Sequence, residues 1–165
     1  MTNVPGQGTA VELVSWPVDP ASGGTMRVLS VQQPWARCIS AGVKPVENRT
    51  WTTTYRGLVI VQASTRPDLA GDSDPLVVAA FGPDARVEAP TGVALAVVEL
   101  VGVCAASTAG RPCGCGPWAR AGLYHWQVTN PLPLSQPIRY RGSLGLRPAP
   151  DDLDAAVRAQ LGQMS

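Results

Sequence analysis

Val93-Ala94-Leu95-Ala96-Val97-Val98-Glu99-Leu100-Val101-Gly102-Val103 reads as a strand buried on both faces. Val93, Leu95, Val97, Val101 and Val103 fall on one side of a pleated backbone, and Ala94, Ala96, Val98 and Leu100 make the other side apolar too. A strand of that kind lies inside a sheet, with neighbours on both edges. The apolar run around it, Gly92 to Ala106, carries Glu99 and many β-branched residues, so it is too short and too strand-like to cross a bilayer as a helix.

Working outward toward the N-terminus, Pro75 to Phe81 suggests a short helix. Leu58 to Ala63 and Val46 to Trp51 read as two strands joined by a Thr-rich hairpin through Tyr55, Arg56 and Gly57. Before them, Pro34 opens a helix running to Ala41, with Trp35, Cys38 and Ile39 on one face and Gly42 as its left-handed stop. Arg27 to Val31 is a further strand. Residues 1–26 have Pro5, Gly6, Gly8, Pro17, Pro20, Gly23 and Gly24 and no sustained period, which predicts a mobile leader with at most a short docked segment at Val11, Leu13, Val14 and Trp16. Toward the C-terminus, Cys104 to Pro117 is a Gly/Pro loop and Leu123 to Thr129 a strand. Pro131, Pro133 and Pro137 then impose extended, edge-like backbone before a last strand from Tyr140 to Leu146. Leu153, Val157 and Leu161 recur every four residues in a helix that Asp151 can cap. The order β, α, β, β, α, β, β, β, α does not alternate as a doubly wound sheet does. It predicts an α+β fold: a small, mixed, mostly antiparallel β-barrel over residues 27–150 with short helices packed around it, and a short helix or tail over 151–165.

The 165 residues suit one domain, and 45% apolar against 15% charged residues excludes a charge-rich disordered chain. With 17 Gly and 16 Pro, a coiled coil or long-helix protein is disfavoured as well. No basic segment followed by an apolar stretch opens the chain, and four Cys make no disulfide framework, so a reducing cytoplasm is the expected compartment. The net charge of +1 hides strong segregation. Residues 27–66 hold Arg27, Arg37, Lys44, Arg49, Arg56 and Arg66 against Glu47 alone; residues 67–99 are acidic; residues 100–150 hold Arg111, Arg120, Arg139, Arg141 and Arg147 with no acid. Two basic segments that converge would give a nearly neutral protein a positive face for an anionic partner.

The densest chemistry lies in Leu29-Ser30-Val31-Gln32-Gln33-Pro34-Trp35-Ala36 and Gly42-Val43-Lys44-Pro45-Val46-Glu47-Asn48-Arg49-Thr50-Trp51. Pro45 has no N–H to give to a ladder, which puts Lys44 in the loop before the strand, while Glu47, Arg49 and Trp51 alternate onto one face. Two cations and a carboxylate can then surround one pocket; the plainer alternative is a surface ion pair worth under ~1 kcal/mol. Arg139, Arg141 and Arg147 offer either a phosphate rail or a solvated edge. Cys104, Cys113, Cys115 and His125 are a legitimate zinc donor set, but Cys-x-Cys lacks the usual two-residue gap. On that spacing no stoichiometric zinc, and no other cofactor, is expected.

These stretches resemble the ASCH domain of the PUA-like superfamily. Its G-x-K-x-x-E-x-R motif stands here as Gly42, Lys44, Glu47 and Arg49. The L-S-x-x-Q-P-W before it, Tyr55-Arg56-Gly57 and Ala63-Ser64 after it, and the later Gly122-Leu123-Tyr124-His125-Trp126 and Arg141-Gly142-Ser143-Leu144-Gly145-Leu146 are similar to bacterial members, over residues 27 to 148. The resemblance implies a PUA-like barrel and a cationic, aromatic cleft between barrel and helix that recognises RNA or single-stranded nucleic acid, a modified nucleotide included. Residues expected to contact it are Gln33, Trp35, Lys44, Glu47, Arg49, Trp51, Arg56, Ser64, Arg139 and Arg141, with a base stacked on Trp35 or Trp51. The alternative is a hydrolase acting on RNA or on N4-acylated cytidine nucleosides. Relatives with that amidohydrolase activity use Lys and Thr in the motif and a later Glu. Lys44 matches the lysine, but Glu47 stands at the threonine position and residues 100–150 hold no acid, so that mechanism does not carry over; a relocated scheme would use Glu47 as base with Lys44 as electrostatic stabiliser, and in a ribonuclease the same set would stabilise a phosphorane.

Overall fold

The run around Val97 does become an inner strand. In a computed structural model, which describes residues 24–84 and 89–164, the elements follow as β1 (Arg27–Val31), α1 (Trp35–Ser40), β2 (Val46–Arg49), β3 (Gly57–Ala63), α2 (Pro75–Phe81), β4 (Val93–Cys104), β5 (Tyr124–Arg139), β6 (Leu146–Pro148) and α3 (Asp151–Gly162). Short 3-10 turns occupy Leu69–Ser73 and Ser107–Ala109. The strands form one mixed sheet in the order β2-β5-β4-β3-β1-β6, parallel only between β1 and β3, curled into a half-barrel with edges at β2 and β6. The expected α+β, mostly antiparallel architecture is therefore present. The expected leader lies outside the described residues up to position 23. Met26, at its end, is already buried in the core.

The two faces of the curled sheet carry separate cores. Along β3, Leu58 and Ile60 join one, with Met26, Val28, Ala94, Val97 and the α3 residues Leu153, Val157 and Leu161. Val59, Val61 and Ala63 join the other, with Leu29, Val31, Ala36, Ile39, Val98, Leu100 and Trp126. Strict alternation fails on β4. One extra β4 residue lies opposite β3, between Ala94 and Ala96, which face the consecutive Gln62 and Val61; another lies opposite β5, between Leu100 and Gly102, which face Val128 and Gln127. Val93 and Leu95 consequently pack with Val98 and Leu100, while Val97 packs with Ala94. An extra residue at a bulge moves every following side chain to the other face.

Three more sequence expectations need correction. β2 and β3 do not form a hairpin; β2 pairs with β5 at one edge, and β3 lies between β1 and β4. The proline-rich stretch is extended and edge-like as expected, but the strand expected to stop at Thr129 runs on through it, and β5 ends at Arg139. Beyond Gln127, β5 has β4 on one flank only, so prolines without N–H groups leave no ladder broken on the other. Tyr140 to Leu146 is consequently a connection, and β6 begins only at Leu146. Asp151 does not cap α3: it sits inside the first turn with Asp152 and Asp154, after Pro150. Those carboxylates still favour the positive end of the helix dipole.

Candidate functional site

Helix α1 stops at Gly42, whose φ of 78° is left-handed and costs other residues strain. The backbone N–H groups of Val43 and Lys44 both donate to Cys38 O, which turns the chain back and sends the Lys44 side chain beneath the helix. Lys44 Nζ donates to Val46 O at 2.5 Å and to Glu47 Oε2 at 2.6 Å, with Lys44 only 3% exposed. The other carboxylate oxygen of Glu47 lies 3.3 Å from Arg49 Nε, and Arg49 Nη2 donates to Ser30 O at 2.6 Å. The motif thus forms a cation–anion–cation chain that stitches β2 to β1.

That chain floors a cleft of about 290 Å³. Trp35 stands on one side, its Nε1 donating to Asp68 Oδ2 at 3.0 Å. Gly71 makes this possible, because a Cβ there would lie 2.8 Å from both the Trp35 ring and Pro34. The opposite wall comes from the β4–β5 connection. Trp118 meets Trp35 edge-on at 6.5 Å, and the Arg120 guanidinium lies 4.9 Å from the Trp35 ring centroid. Asn48 clips this wall to β2, donating to Trp118 O and accepting from Arg120 N, both at 2.9 Å. Arg120 is otherwise loosely held: its side chain is 55% exposed and 3.9 Å from Asp74.

Of the residues expected to bind, Trp35, Lys44, Glu47 and Arg49 line this cleft. Trp51 does not. It follows the end of β2 and turns into the core, edge-on to Trp126 at 4.6 Å, whose Nε1 donates to Trp51 O. Gln33 is buried and committed to Pro90 O and Arg37 N. Arg56 folds onto Thr53 O and Tyr55 O. Ser64 and Arg141 line a second cleft of about 400 Å³ with Gln62 and Gly142, and Ser30 borders both clefts. Arg139 is exposed at the end of β5 and lines neither.

The cleft is not cationic as expected: Lys44, Arg49 and Arg120 face Glu47, Asp68 and Asp74, three charges of each sign. The acidic segment of the chain enters along with the two basic ones. Asp68, Asp74, Asn48, Trp118 and Arg120 were missed because their signal is positional. Asp68 and Asp74 look like turn caps in sequence, and both do cap, accepting from Ala70 N and Leu76 N.

Thiols fall into two groups. Cys38 is buried on the inner face of α1, and that burial pushes its pKa up to about 11. Cys104, Cys113, Cys115 and His125 gather at the root of the β4–β5 connection, their ligand atoms all within 4.8 Å of one another. Sequence spacing pointed away from such a grouping.

A polar cleft between a helix and an edge strand of a curled mixed sheet, floored by Lys44, Glu47 and Arg49, defines a class of small half-barrel domain. A family model for the ASCH domain matches residues 29–138, and the chain belongs to that family. No curated protein matches it. Among the described residues, no helix is long and apolar enough to cross a membrane.

Proposed function

We propose that this ASCH domain binds RNA or another single strand by taking one base, a modified base included, into the cleft beside Trp35. The observation that carries the reading is the meeting of Lys44, Glu47 and Arg49 with Trp35 in one small polar cleft. Its volume is at the lower end of the range for small-molecule pockets, about 300 Å³, which suits a nucleoside and not an extended strand. Equal numbers of cations and carboxylates suit a neutral ligand with donor and acceptor edges better than a run of phosphates. The Arg120 guanidinium over Trp35 marks a face on which a planar base can stack, since guanidinium and base use aromatic faces alike. Phosphates then meet exposed arginines outside, with Arg141, beside Ser64 in the neighbouring cleft, and Arg139 and Arg56 as candidates.

Binding is favoured over hydrolysis because Glu47, the one carboxylate of the motif, is tied into the floor, with one oxygen accepting from Lys44 Nζ and the other 3.3 Å from Arg49 Nε. Ser30 is the only hydroxyl among the lining residues. The four free thiols support a reducing cytoplasm as the compartment.

Fluorescence anisotropy with short RNA and DNA strands, and calorimetry with free and N4-acetylated cytidine, test the proposal. Trp35→Ala is expected to weaken binding by on the order of 1 to 3 kcal/mol through lost stacking. Arg141→Ala is expected to flatten the log–log salt dependence by about 0.7, one phosphate contact on a single strand. Folded Trp35→Ala and Arg120→Ala proteins that bind like the wild type contradict the cleft assignment, and deacetylated cytidine in the calorimetry cell contradicts the binding-only reading.

A further inference from the structure

Cys104 closes β4 and His125 is the second residue of β5, and the two are direct partners across the ladder. Side chains of such a cross-strand pair start about 5 Å apart at Cβ, so one thiol and one imidazole are delivered to the same point by the sheet alone. The connection then folds back over the sheet, and Cys113 and Cys115 arrive from the same side with Gly114 between them. Cys113 Sγ lies 3.3 Å from His125 Nδ1, and all four ligand atoms are within 4.8 Å of one another. A tetrahedron with Zn–S of ~2.3 Å and Zn–N of ~2.0 Å has edges of about 3.5 to 3.8 Å, so the set needs to contract by no more than about 1 Å.

The surroundings are arranged as they are around metal ligands. His125 is 1% exposed, and its Nε2 sits 2.6 Å from Arg120 O. A carbonyl only accepts, so Nε2 carries the proton and Nδ1 turns its lone pair toward the thiols; a backbone carbonyl on the distal ring nitrogen fixes the tautomer of metal-bound histidines in the same way. Gln127 Nε2 points at Cys115 Sγ from 3.8 Å, as an outer donor to a thiolate. One Cys–His contact can be an ordinary S–H hydrogen bond. Cys113 meets the imidazole, while Cys104 and Cys115 have only weak sulfur contacts such as that from Gln127, whereas a soft divalent cation satisfies all four ligand atoms.

We propose that Cys104, Cys113, Cys115 and His125 hold one structural zinc ion. Four protein donors fill a tetrahedral site and leave no position for water, so the ion serves structure and not hydrolysis. What it holds is the cleft wall. Pro117, Trp118, Arg120 and Leu123 all line the cleft and all lie between Cys115 and His125 in sequence. Asn48 clips that stretch to β2 from the cleft side. The zinc site anchors it from beneath, and this inference stands whether or not the cleft takes a nucleic acid.

The full chain, purified in reductant without chelator, should contain one zinc per molecule by plasma mass spectrometry. After exchange, cobalt(II) should give the intense visible bands of a tetrahedral thiolate site. The paired change Cys113→Ser with Cys115→Ser should abolish both signals, while Cys38→Ser should leave both unchanged. Removing zinc with chelator should raise amide hydrogen exchange over residues 105–123 and leave β1 and β3 protected. If the paired variant fails to fold, the wild-type cobalt spectrum decides alone. Reduced, folded wild-type chain that holds no zinc after dialysis against it and shows no tetrahedral cobalt bands overturns the proposal, as does zinc retained in a folded paired variant.

Discussion

Lys44 keeps its ammonium 2.6 Å from Glu47 Oε2 while 3% of the residue meets solvent. Removing one partner of a buried pair leaves an uncompensated charge, so Lys44→Ala should destabilise the domain by about 3 to 5 kcal/mol, read as a fall in the urea midpoint at constant slope. A loss below about 1 kcal/mol would mean a solvated surface pair and a wrongly drawn floor. Lys44→Ala is for the same reason a poor probe of binding, whereas Trp35 and Arg120 can be changed without stranding a buried charge. That Lys44 and Glu47 meet was legible from Pro45 and the three-residue spacing. Their burial was not, because what covers them is α1 and the β4–β5 connection, remote in sequence. Trp51 shows the opposite failure: period-2 alternation holds only while the strand lasts, and β2 ends at Arg49, two residues short.

At the scale of elements, α3 does more than cover one core. Asp154 Oδ1 accepts from Met26 N at 3.1 Å, Arg158 Nε donates to Asp154 Oδ2 at 2.6 Å, and Arg158 Nη2 donates to Gly24 O at 2.6 Å. The helix therefore clamps the entry to β1. Burial works to raise the Asp154 pKa, but the Arg158 guanidinium and the Met26 N–H outweigh it and hold the carboxyl below its ordinary value. A depressed folded-state pKa contributes stability that is present above the unfolded value of about 3.9 and lost as pH falls through the folded value. Asp154→Asn should cost about 1 to 2 kcal/mol at neutral pH, with the difference from wild type shrinking below about pH 4. A difference that stays constant from pH 7 to pH 3 would contradict the ionic clamp. The apolar face of α3 could be read from its spacing of four, but the clamp could not, since an i,i+4 Asp–Arg pair looks the same on any solvated helix. The β4 bulges were equally silent: an inserted residue inside a Val/Ala run leaves composition unchanged while it reverses the faces.

Across the whole molecule, the segregated charge of the sequence is brought together and nearly cancelled. Lys44 and Arg49 come from the first basic segment, Arg120 from the second, and Asp68 and Asp74 from the acidic one between them. That the basic segments could converge was legible, but not that Arg120 would arrive instead of Arg139 or Arg141, nor that the acidic segment would join them, because the sign of a segment says nothing about which turn carries its charges to the cleft. The result is a polar, balanced recess with exposed arginines such as Arg141 outside it, and the reading offered for it is one base inside and phosphates beyond. The most direct measurement is amide and indole chemical-shift mapping during titration of the full chain with a short single-stranded RNA. Saturable shifts of the Trp35 indole Nε1–H and of amides over 44–49 and 118–123 are the predicted result. No shift at these positions at RNA concentrations that saturate binding elsewhere on the protein would contradict it.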